Sequence, residues 1–144
     1  MATNNWRIFP RWMMEEHETD IRFNAQLSTG RAAEVTERLQ REPATMQVLL
    51  KLLGDPRTAL STRIGIGVVM EDLAGTALLQ QQVTELTKLA EHPDARIRAD
   101  ACHYLGLSGD KSAIPALQTR QAADTDSEVR EVAADALASL GQAG

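Results

Sequence analysis

One short pattern written twice constrains this chain more than any other feature. Asp94-Ala-Arg-Ile-Arg98 is followed by Ala101, Cys102, Leu105 and Gly109, and thirty-two residues later Asp126-Ser-Glu-Val-Arg130 is followed by Ala133, Ala134, Leu137 and Gly141. The offsets from the two arginines are the same. Recurrence at a period of roughly 20 to 50 residues means stacked supersecondary units, each too small to bury its apolar face without its neighbours. The offsets themselves are helical, because positions three, four and seven residues on return to one side of a helix.

The residues before the doubled pattern carry helix signals of the same kind. Thr29 opens a helix expected to reach Glu42, with Ala32, Val35 and Leu39 on one face, and Pro43 ends it. Met46, Leu49, Leu50 and Leu53 give the next apolar stripe, closed by Gly54. Asp55-Pro56 is read as the start of a helix running to Leu73 or Ala74, and Arg63 in it is a partial third counterpart of Arg98 and Arg130. Gly65 and Gly67 each cost that helix about 1 kcal/mol relative to alanine, which points to close approach of a neighbour. An outer helix is expected over Thr76–Glu91, an inner one from Asp94 to Leu107, a short one capped by Ser112, and a last one from Ser127 to Leu140, where Thr125 and Glu128 have capping-box spacing.

Charge and cysteine content narrow the function classes. A formal charge of −5 argues against nucleic acid, whose binding depends on clustered Lys and Arg displacing counterions. Cys102 is the sole cysteine, so no intramolecular disulfide or paired-cysteine metal site forms, and a cytoplasmic location is expected. No apolar run is long enough to cross a bilayer, and Glu15-Glu16 stand where a membrane-surface helix wants basic residues. Glu15 to Glu18 place three acids around His17, but His92 and His103 have no complementary spacing, so no metal site is expected.

Residues 1–28 read as an N-terminal arm or cap. Both tryptophans gather there, and Trp6, Phe9 and Trp12 either fold back over the open end of the stack or serve as an aromatic anchor for another protein. Ile21, Phe23, Ala25 and Leu27 alternate with polar residues while also forming helical pairs; within an otherwise helical chain they are read as an extended or irregular arm.

The doubled pattern, with Asp110-Lys-Ser-Ala-Ile-Pro-Ala-Leu117 after its first copy, resembles HEAT repeats of the short bacterial kind, also called phycobilisome-lyase-type HEAT-like repeats. The likeness is clear over about 77–141. It implies an all-α fold, a short right-handed α-solenoid of stacked antiparallel helix pairs over residues 29–144, with the second helix of each pair lining the concave face. It also implies an Asp–Arg ladder between neighbouring repeats. Asp124 and Arg130 have the spacing for that ladder, with Arg98 the structural counterpart one repeat earlier, whereas His92 stands where the preceding repeat would carry its aspartate.

Helical geometry then names the outward face. At about 100° per residue, the positions opposite the buried alanines and leucines include Ile64, Gly65, Val68 and Asp72, then Asp100 and His103 with Tyr104 at the edge, then Glu131 and Asp135. Acids predominate there, so the expected partner is a protein with a basic or amphipathic segment. A non-catalytic interaction or scaffold module without cofactor follows as the leading function. The alternative, which the resemblance allows, is an auxiliary subunit or lyase-like factor of a bilin attachment system.

Overall fold

The computed structural model describes residues 9–141. Helices account for almost all of its regular structure, in the order α1 (Arg11–Ser28), α2 (Ala32–Arg41), α3 (Met46–Leu53), α4 (Leu60–Asp72), α5 (Ala77–Gln80), α6 (Val83–Leu89), α7 (Ala95–Ser108), α8 (Ile114–Ala123) and α9 (Ser127–Ser139), and no strand occurs among the described residues. This is an all-α solenoid. α1, α4, α7 and α9 lie side by side as the inner layer, while α2, α3, α6 and α8 lean on them from behind. One apolar core runs from Phe23 in α1 to Leu140 after α9, through Leu39, Leu53, Ile66, Leu86, Leu105 and Leu117.

The arm read as irregular is a helix of 18 residues. The period-two reading gave Ile21 the same role as Phe23, but Ile21 faces solvent while Thr19, Phe23 and Leu27, spaced by four, face the stack. Burying Phe23 and Leu27 completely contributes about 1.5–3 kcal/mol each, which a lone strand with unpaired backbone groups would not obtain here. The same core therefore includes α1 and the helices after residue 29.

Each inner helix ends in the same way. Gly30, Gly75, Gly109 and Gly141 follow α1, α4, α7 and α9, all with φ between 70° and 82°, the left-handed region that glycine enters without strain. Two inner contacts require glycine for space instead. A Cβ on Gly65 would lie 2.5 Å from the Leu27 carbonyl oxygen of α1, and one on Gly106 would lie 2.8 Å from the Ala136 Cβ of α9. Gly67 differs, since its nearest neighbour is the Tyr104 hydroxyl at 3.4 Å.

Two helix starts depart from expectation because aspartates outcompete weaker caps, and others shift along the chain. Asp110, not Ser112, accepts the cap hydrogen bond, from the Ser112 N–H, and Asp126 accepts from the N–H groups of Glu128 and Val129 in place of Thr125. Thr29 closes α1, its hydroxyl donating to the Ala25 carbonyl, and does not open α2. Residues 55–59 form a turn before α4, and the expected Thr76–Glu91 helix is broken into α5 and α6.

Candidate interaction face

The inner layer is held in register by its arginines. Arg98 in α7 donates from Nε and Nη2 to the two carboxylate oxygens of Asp124, both at 3.0 Å. Asp124 also accepts from Arg120 at 3.1 Å and from the Asp126 N–H at 2.9 Å, while its carbonyl accepts from Arg130 at 2.6 Å. Arg98, Asp124 and Arg130 thus meet at this step of the stack. The carboxylate partner of Asp124 is the arginine of the preceding inner helix, and Arg130 takes the backbone. Burial works to raise the Asp124 pKa, but the Arg98 hydrogen bonds, the Asp126 N–H and Arg120 together outweigh it and hold the carboxyl below its usual range.

One repeat earlier the ladder changes form. His92 keeps half of the aspartate's work: its Nδ1 accepts from the Asp94 N–H at 2.9 Å, as Asp124 accepts from Asp126. It supplies no carboxylate. Arg63, buried in α4, pairs instead with Asp100 of α7 at 3.1 Å and donates to the carbonyls of Leu53 and Asp55, both at 2.9 Å. Arg98 likewise reaches back to the carbonyls of His92 and Pro93. Each inner arginine therefore ties the start of its helix to the turn before it.

This pairing corrects two members of the predicted face. Asp100 is half-buried and committed to Arg63, so it belongs to the ladder more than to an open surface; burial foremost pushes its carboxyl above the usual range despite that pairing. Tyr104 is buried, 4% exposed, in the seam between α7 and α4, because its offset from Arg98 turns the ring toward Gly67. Burial raises its phenol pKa.

The other predicted positions are outward. His103, Glu131 and Asp135 are exposed on α7 and α9, and Asp72 is exposed at the end of α4, accepting from the Thr36 hydroxyl at 3.1 Å. Among the described residues Asp72, Glu131 and Asp135 take part in no ion pair. Sequence reasoning placed Ile64 and Val68 on this side but gave the weight to the acids, and it missed Leu60. All three are exposed, at 71%, 62% and 44% for Leu60, Ile64 and Val68. The signal was their spacing of four.

Elsewhere, Phe9 and Trp12 are exposed and line a depression with Met13, Met14, His17 and Lys51, while Trp6 lies outside the described residues. Cys102 is buried, and burial foremost pushes its thiol up to about 11. No three metal-ligating side chains cluster, and no helix is long and apolar enough to cross a membrane, among the described residues.

No curated protein and no solved structure matches this chain significantly. Residues 69–138, from the last turn of α4 to the last turn of α9, match the family model for HEAT repeats.

Proposed function

We propose that this chain is a non-catalytic protein-interaction module that holds a partner protein against the inner face formed by α4, α7 and α9. HEAT repeats generally serve as interaction scaffolds, and residues 69–138 match their family model, while the doubled pattern resembles the short bacterial kind. The observation that carries the reading is the set of outward acids, Asp72, Glu131 and Asp135, left without ion-pair partners while the arginines of the same helices turn inward to carbonyls and aspartates. A basic or amphipathic segment complements such a face, and charge complementarity sets both the choice of partner and the rate of encounter.

An enzymatic or bilin-attachment role finds less support in this face. His103 lies beside the tilted ring of Tyr104, and the one thiol is buried, with burial raising its pKa. The test is affinity capture from the native host with wild type and with Glu131→Lys combined with Asp135→Lys. Both side chains are exposed, so the helical circular dichroism stays unchanged. Loss of the captured partner is the expected result; undiminished capture defeats the reading.

A further inference from the structure

We infer that the partner segment docks as an amphipathic helix on α4, with its aliphatic side on Leu60, Ile64 and Val68 and a basic residue over Glu71 and Asp72. This rests on reading the inner face as an interaction surface, and it names where the energy and the orientation come from.

The free arc of α4 is narrow and well bounded. On one side Gly65 presses on Leu27 of α1; on the other Arg63 pairs with Asp100 and Gly67 faces Tyr104 of α7. Between these contacts, at about 100° per residue, Leu60, Ile64 and Val68 form a slowly winding row, and Glu71 and Asp72 continue it at the C-terminal end. The row spans about 12 Å, two turns of a facing helix. Beside it, Leu27, Ala32, Ile64, Gly65 and Val68 line a mostly apolar groove of about 540 Å³.

A helix whose outward arc served solubility alone would carry polar residues there. Three aliphatic residues in one row instead present area that becomes favourable once covered, roughly 25 cal/mol for each Å² removed from water. The acids define the partner's polarity. Glu71 and Asp72 sit at the negative end of the α4 dipole, and no basic residue lies in that last turn. A cation brought by the partner relieves both, and Lys or Arg beyond an aliphatic pair supplies it. A second copy of this chain fits less well, because it brings the same acids and a net charge of −5.

The experiment is a phage-displayed random peptide selection against the full chain, with Ile64→Asp as competitor. Ile64 is 62% exposed, and Leu60→Ser provides a second variant should Ile64→Asp lose its helical spectrum. The expected peptides carry aliphatic residues at i and i+4 followed by Lys or Arg. As synthetic peptides they lose at least about tenfold in affinity for Ile64→Asp and Leu60→Ser, by the burial scale above. They also weaken several-fold toward Asp72→Lys, and a peptide with Glu in place of its basic residue recovers that loss. Peptides indifferent to Ile64→Asp and Leu60→Ser but lost with Glu131→Lys and Asp135→Lys overturn this docking site and leave the broader reading intact. Peptides indifferent to all of these variants overturn both, and failure to enrich any peptide overturns the docking site. A wild-type dimer in light scattering that Ile64→Asp converts to monomer makes a second copy the occupant and likewise overturns it.

Discussion

Asp124 takes both donor nitrogens of one Arg98 edge at 3.0 Å while its own side chain is fully buried, so the step from α7 to α9 hangs on one carboxylate with four hydrogen-bond donors. Removing a buried partner leaves the other charge uncompensated, at a cost of about 3–5 kcal/mol. Asp124→Ala is expected to lower unfolding stability in urea by about that amount. Asp126→Ala, which removes only a helix cap, costs about 1 kcal/mol in the same assay.

The same carboxylate gives stability a pH dependence. Its folded-state pKa lies below the unfolded value, so its contribution is complete above about pH 4 and is lost as pH falls through the folded pKa. Partly exposed Asp94, held near 2 chiefly by the Arg96 side chain, titrates with the same sign. Urea unfolding from pH 7 to pH 2 is expected to show stability falling at the acid end, with a shallower fall in Asp124→Asn. An equal slope in the two proteins counts against Asp124 as a source of the acid sensitivity.

Glycine substitutions separate space from helix propensity. Gly65→Ala and Gly106→Ala force a Cβ into Leu27 and Ala136, and each is expected to lower the melting temperature, by about 1–3 kcal/mol in stability, despite the better helix former. Gly67→Ala meets only the Tyr104 hydroxyl at van der Waals distance and is expected to gain up to about 1 kcal/mol.

The displaced ladder acid offers a rescue. Asp100→Ala leaves Arg63 buried without its carboxylate and is expected to cost about 1–3 kcal/mol. His92→Asp restores the aspartate at the position equivalent to Asp124. Added to Asp100→Ala, it is expected to recover part of the loss in thermal denaturation. Additive effects would show that position 92 does not reach Arg63.

Trp12 at 60% exposure contributes little to the stack, so Trp12→Ala is expected to change stability by no more than about 0.5 kcal/mol. A large drop in melting temperature would instead assign Trp12 to capping.

The C-terminal repeats were legible because their arginines, alanines and leucines recur at fixed offsets, and the offsets alone separate buried from outward positions. Glu131, Asp135 and His103 followed directly. Asp100 and Tyr104 did not, because their fate depends on what α4 presents: an arginine with no aspartate at position 92, and a glycine opposite the ring. α1 was harder still, since Phe23 and Leu27 satisfy both periodicities and only the neighbouring stack decides between them. Gly30 was the overlooked clue, as the first of four left-handed glycines.

Those four glycines also make the chain modular in an engineering sense. Gly109 and Gly141 leave their helices through nearly the same backbone conformation, with φ of 70° and 82°, so the segment between them begins and ends on matching junctions. A duplicate of that segment could be spliced in at either glycine, carrying its own Asp124 and Arg130 to clasp the copy before it. The inner layer would then lengthen by one helix at a time, making its length a quantity that duplication can adjust.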